Sequence, residues 1–144
     1  MRSGEYHLSA EQIRAFATEF DPQPFHLDET AARASVLGGL SASGWHTAAI
    51  TMRLIVDSGF KLAAGVVGLG GEIRWPQPTR PGDILHVDSE VIELIPSRSR
   101  PDRGVVKIRN ETINQRNETV QVLIATLLVP RRSPRSDLPP SSSG

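Results

Sequence analysis

Ser43-Gly44-Trp45-His46-Thr47-Ala48-Ala49-Ile50-Thr51-Met52-Arg53-Leu54-Ile55-Val56-Asp57-Ser58-Gly59-Phe60 is the segment whose reading decides the fold. From Gly44 onward, Trp45, Ala48, Ala49, Met52, Leu54, Ile55 and Val56 spread apolar side chains over most of a helical circumference, with Arg53 and Asp57 the main charged exceptions. A helix that is apolar nearly all round belongs inside a protein. The spacing therefore predicts a buried helix from Ser43 to about Phe60, and the rest of the chain must supply what covers it.

Downstream the period changes from helical to alternating. From Gly65 the chain breaks into short runs separated by Gly, Pro, Asn and Ser, and these read as strands at Val66 to Trp75, Ile84 to Ile95, Gly104 to Asn114 and Glu118 to Val129. In the second run Ile84, His86 and Asp88 alternate with Leu85, Val87 and Ser89, the pattern of a half-buried antiparallel strand. Asn114-Gln115-Arg116-Asn117 reads as the hairpin turn joining the last two runs.

Upstream, Ser9-x-x-Gln12 is a capping-box pattern, followed by Ile13, Phe16, Ala17 and Phe20 at helical spacing until Pro22 ends the helix. Asp28-Glu29-Thr30 opens a short helix before the Gly38-Gly39 break. A helical first half and a strand-rich second half predict an α+β domain in which an antiparallel sheet wraps one long central helix.

Composition narrows the chemistry. The 144 residues carry 16 Lys+Arg against 16 Asp+Glu, for a formal net charge of zero, and contain no cysteine. That is one domain, expected over residues 1–130, with residues 131–144, rich in Ser, Pro and Arg, expected as a flexible tail. Zero cysteine removes disulfides, thiolate metal sites and Cys nucleophiles. The neutral balance gives no footprint for nucleic acid or an anionic membrane. No stretch looks like a signal peptide or approaches the roughly 20 apolar residues of a membrane span, so a cytoplasmic protein is expected. His7, His46 and His86 have no partners at metal-ligand spacing and read as surface or satisfied structural histidines, and no metal or redox cofactor is expected. Gly68-Leu69-Gly70-Gly71 precedes a strand and not a helix, which argues against a phosphate loop.

Chemistry concentrates in two places. In Asp21-Pro22-Gln23-Pro24-Phe25-His26-Leu27-Asp28 each proline stiffens the chain and pushes the residue before it, Asp21 or Gln23, into an extended conformation. A carboxylate and an imidazole at its two ends are an acid/base pair suited to adding water across a polarised double bond. Fully extended, their Cα atoms would lie up to roughly 17 Å apart, so the chain must bend, with the helix onset near Asp28 the expected place. The same residues also fit a plain connector in which Asp21 caps or forms a salt bridge and His26 packs.

The second place is Ser41-Ala42-Ser43-Gly44-Trp45, where unpaired N–H groups at a helix start would polarise a carbonyl, or where Ser43 simply caps the helix. Trp75 and Pro76-Gln77-Pro78 fit either a pocket wall or the core.

These residues resemble the MaoC-like acyl dehydratases, the group that includes (R)-specific enoyl-CoA hydratases. The matching motifs are Asp21-Pro22-Gln23-Pro24-Phe25-His26 with Ala32 in the small-residue place, Gly44 opening the central helix, and Trp75-Pro76-Gln77-Pro78-Thr79-Arg80-Pro81-Gly82-Asp83. Gln23 stands where many members have Asn, and Ser43 where many have His. The resemblance implies a hotdog fold and a reversible hydratase acting on trans-2-enoyl thioesters of CoA or a carrier. Asp21 and His26 would be the catalytic pair, with Ser43, Gly44 and Trp45 binding substrate at the helix start. It also implies a homodimer or higher homo-oligomer. A neutral chain would have to meet the phosphates of CoA with a few local residues such as Arg53, Arg74 or Arg80. A hotdog thioesterase and a non-catalytic acyl-binding or partner subunit are the competing readings.

Overall fold

The computed structural model describes residues 1–58, 67–96 and 103–130. A two-residue strand, β1 (Tyr6–His7), leads into α1 (Ala10–Phe20), two short helices α2 (Pro24–Leu27) and α3 (Glu29–Arg33), and the central helix α4 (Gly44–Asp57). Four long strands follow: β2 (Val67–Arg74), β3 (Ile84–Pro96), β4 (Arg103–Ile113) and β5 (Thr119–Pro130). All pairings are antiparallel, in the order β1-β3-β4-β5-β2. The sheet curls around α4 as expected for a hotdog fold.

Local chemistry accounts for most of these elements. The capping box forms as the sequence predicts: Gln12 N–H donates to Ser9 Oγ at 3.1 Å and Ser9 N–H to Gln12 Oε1 at 2.9 Å. Asp28 caps α3 through Thr30 N–H, and Asn114 folds the β4–β5 turn by accepting from the N–H groups of Arg116 and Glu118. Leu85, Val87 and Ser89 of β3 are buried, as the alternation predicts, but His86 on the opposite face is buried with them. Gly68 to Gly71 lie within β2.

Ile50 and Leu54 of α4 pack with Leu8, Ile13, Leu85, Val87 and Val120 in the core. Burying each such side chain contributes about 1.5–3 kcal/mol. The buried face of α4 also carries Thr47 and Thr51. The Thr51 hydroxyl meets the Thr112 hydroxyl of β4 at 2.6 Å and accepts from Gln121 Nε2 of β5 at 3.0 Å, so helix and sheet are joined by hydrogen bonds as well as by apolar contact.

Two expectations are corrected. The central helix ends at Asp57 with Ser58 as its C-cap; residues 59 and 60 lie outside the described residues, as does the expected tail at 131–144. Nor is the helix buried all round in the single chain, since Trp45, Met52 and Val56 are 63%, 50% and 66% exposed.

Candidate active site

Asp21 is the C-cap of α1, its N–H bonded to the Ala17 carbonyl at 2.8 Å. Gln23 is extended as Pro24 requires, but Asp21, with φ −154° and ψ 66°, is not fully so. The bend between Asp21 and His26 comes earlier than the helix onset near Asp28. Pro24 occupies the first position of α2, where its missing N–H costs nothing, and this single turn swings His26 back toward Asp21. His26 Nε2 thereby lies 3.3 Å from Asp21 Oδ2, with the two side chains 7% and 19% exposed.

The other ring nitrogen fixes the tautomer. His26 Nδ1 sits 2.6 Å from the Ser41 carbonyl, which can only accept, so Nδ1 carries the hydrogen and Nε2 is the nitrogen offered to Asp21. Phe25 packs edge-on against the imidazole.

Asp21 is itself pinned. The Gln23 side-chain amide donates to Oδ1, and the Ser43 hydroxyl donates to Oδ2 at 2.7 Å. Desolvation, the largest single influence, pushes this carboxyl up. The hydrogen bonds from Gln23 and Ser43 and the charge of His26 together outweigh it, leaving the carboxyl below its ordinary value. The two positions at which the sequence departs from the common family pattern are therefore the two donors to Asp21.

Ser43 makes no side-chain cap on α4, because its hydroxyl is committed to Asp21. Its carbonyl accepts from His46 and Thr47. The N–H groups of Gly44 and Trp45, in the first helical turn, have no acceptor within the helix and sit at the positive end of its dipole.

A cavity of about 330 Å³ opens beside this turn, lined by His26, Leu37, Ser41, Gly44, Thr47 and Trp75 among others. Glycine is required at its wall: a Cβ on residue 44 would lie 2.7 Å from the Trp75 ring. Trp75 is held by its indole N–H, which donates to Gln121 Oε1 at 2.9 Å. Trp45 does not line the cavity and meets Trp75 edge-on.

A second cavity, about 510 Å³, lies against Phe16, His46 and Leu54, and neither Asp21 nor His26 lines it. His46 corrects an expectation, being buried and stacked on Phe16 with Nδ1 lacking any partner among the described residues. His86 is buried 3.6 Å from Asp88, and His7 is exposed.

Of the three arginines expected near phosphates, Arg53 pairs with Asp57 at 2.7 Å and Arg80 is occupied by the Leu37–Ser41 loop. Sequence reasoning missed both that use of Arg80 and the Ser41 carbonyl as partner of His26. The sequence offers Arg80 only as a residue for a phosphate, and nothing local tells which loop it faces.

A sheet curled around a helix with this loop at the helix start defines the hotdog class. Within it, the MaoC like domain profile matches residues 2–115, and the chain belongs to that family. The solved MaoC-like dehydratase from Rhodospirillum rubrum is 58% identical, with 92% of this chain and 90% of that chain covered and a TM-score of 0.89. The R-hydratase PhaJ1 of Pseudomonas aeruginosa, in its unliganded form, is 25% identical over all of this chain and 91% of that chain, with a TM-score of 0.72. The 3-hydroxybutyryl-CoA dehydratase of Methylorubrum extorquens is 36% identical over 95 residues, which make up 65% of this chain and 59% of that protein. Hydration and dehydration are thus the chemistry that the family supports.

Proposed function

We propose that the protein reversibly adds water to a trans-2-enoyl thioester of CoA or a carrier. The observation that carries this reading is the meeting of Asp21 with His26, which lines one cavity together with Gly44 while Asp21 stands behind it. A water molecule shared by Asp21 Oδ2 and His26 Nε2 loses a proton to the pair as its oxygen bonds to C3 of the enoyl group. The double-bond electrons move toward the thioester oxygen, where the Gly44 N–H stabilises the enolate charge. One such donor is worth about 10²–10³ in rate. A proton returned by the pair to C2 completes the addition, so one O–H bond breaks while one C–O and one C–H bond form.

Ser43 and Gln23 keep Asp21 ionised and oriented, and Ser43 thus acts through Asp21 and not on the substrate. Among the arginines considered, Arg74, next to Trp75 at the end of β2, is unpaired among the described residues and is the one proposed to meet a substrate phosphate. The exposed Trp45, Met52 and Val56 and the position of β2 at the sheet edge among the described residues support a homodimer, which light scattering would measure.

The deciding experiment follows the conjugated-enoyl absorbance of crotonyl-CoA and longer enoyl-CoAs. Wild type should remove it, and Asp21→Asn and His26→Ala should each abolish the change. No loss with any enoyl-CoA, or full activity in both variants, overturns the proposal; release of free CoA thiol instead would identify a thioesterase.

A further inference from the structure

We propose that Arg80 is a positioning residue for His26, acting through the loop Leu37–Ser41. The Arg80 guanidinium donates to the Gly39 carbonyl at 2.8 Å, to the Ser41 hydroxyl at 2.8 Å and to the Leu37 carbonyl, with a longer approach of 3.5 Å to Leu40. No carboxylate pairs with it among the described residues. A planar fork with fixed donor directions is thus spent almost wholly on the backbone of one short loop, an arrangement that a lysine's single ammonium cannot reproduce.

That loop ends in the carbonyl which selects the His26 tautomer. Ser41 O takes the Nδ1 hydrogen of His26 and so leaves Nε2 facing Asp21. The turn carrying Arg80 holds both flanks of this carbonyl: Arg80 reaches the residues before it and the Ser41 hydroxyl, while the neighbouring Thr79 carbonyl accepts from Ala42 N–H at 2.9 Å. The turn is itself braced, since Asp83 Oδ2 accepts from Arg80 N–H at 2.8 Å. Gly39 allows the close approach, because a Cβ there would lie 3.1 Å from the guanidinium. Without the fork the loop loses three bonds together. The Ser41 carbonyl is then held only through the Ala42 N–H of its own peptide and the Ser41 N–H bond to the Phe25 carbonyl at 3.3 Å, so its position loosens and the imidazole samples more than one tautomer and more than one distance to Asp21.

The catalytic part of this inference rests on the hydration proposed above; the structural part does not, and one experiment separates them. Full-length wild type, Arg80→Met and Arg80→Lys, labelled with ¹⁵N-histidine, are compared by long-range ¹H–¹⁵N correlation, with the His26 signals assigned from His26→Gln. The same preparations are assayed with crotonyl-CoA. At a pH where its ring is neutral, wild-type His26 should show protonated Nδ1 alone. In Arg80→Met the ring nitrogens should move to a tautomer average, and kcat should fall about 10²-fold with little change in KM, the scale of a small misplacement at a reacting centre. Arg80→Lys should lie between the two.

Folded variants with unchanged His26 nitrogens overturn the proposal, as does an averaged tautomer with wild-type kcat. If wild type hydrates no enoyl-CoA, the functional reading fails while the ring nitrogens still decide the role of Arg80. If Arg80→Met does not fold, Arg80→Lys and Gly39→Ala, which disturb the fork but keep the charge, carry the same test.

Discussion

Ser43 and Asp21, separated by 22 positions in the chain, are joined by a 2.7 Å hydrogen bond from the Ser43 hydroxyl to Asp21 Oδ2. The bond ties the start of α4 to the end of α1 and helps hold the Asp21 carboxyl below its ordinary value against the opposing effect of burial. A carboxyl lowered by folding contributes stability at pH above its unfolded value and loses it as pH falls through the folded value.

We predict that Ser43→Ala is less stable than wild type at pH 7 by about 1–2 kcal/mol, the scale of a hydrogen bond to a charged group with some exposure. The difference should shrink below about pH 4, where the unfolded carboxylate protonates. The acid limb of the hydration pH profile should move to higher pH. Denaturant titrations at pH 7 and pH 3 with pH–rate profiles measure both, and an unmoved acid limb would show that Asp21 does not depend on Ser43.

At Gly44 the limit is steric. Because a Cβ would fall 2.7 Å from the Trp75 ring, which Gln121 holds in place, Gly44→Ala must displace the indole or the helix start. We expect a loss of about 1–3 kcal/mol, the cost of overpacking. Adding Trp75→Leu should return most of it, measured by urea denaturation of the single and double variants. Strict additivity of the two changes would mean that the indole is not the obstacle.

How much of this was readable in advance depends on how local each cause is. The Ser9 capping box and the Asn114 turn are written within four residues and form as predicted. The Asp21 and His26 spacing points to two side chains that do meet, but it places the bend too late, since Pro24 starts a helical turn and does not stiffen an extended chain. The burial of α4 was overestimated because hydropathy alone assigns Trp45, Met52 and Val56 inward and Thr47 and Thr51 outward, the reverse of what is found. The partners that make buried threonines tolerable, Thr112 and Gln121, lie 61 and 70 positions away from Thr51. Strand β1 has only two residues and no period to detect.

The Thr51 network gives a third prediction. Thr51→Val keeps the shape of the side chain but leaves Gln121 Nε2 without its acceptor and Thr112 without its hydroxyl partner. The expected cost is about 1–3 kcal/mol, the penalty for stranding buried polar groups. Thr112→Val combined with it should cost less than the sum of the two, since one bond is counted in both. A thermodynamic cycle from denaturation measures the coupling, and additive costs would remove the hydroxyl pair as a stabilising contact.

His46 supplies the last. It is buried beside Phe16, the rings 4.5 Å apart and nearly parallel, and burial lowers its pKa from the ordinary 6.5. The folded chain therefore keeps this ring neutral at pH values where the unfolded chain protonates it. Stability is full above about pH 6.5 and falls as pH drops from there toward the folded value. In His46→Leu that loss disappears. At pH 8 the variant gives up a ring stack of about 0.5–1.5 kcal/mol and relieves an unpartnered nitrogen of similar cost, so the two proteins should agree within about 1 kcal/mol. At pH 5 the variant should be the more stable. Taking the difference between the proteins at each pH cancels the carboxylates they share, and a difference that stays constant from pH 8 to pH 5 would show that His46 does not titrate out of the folded state.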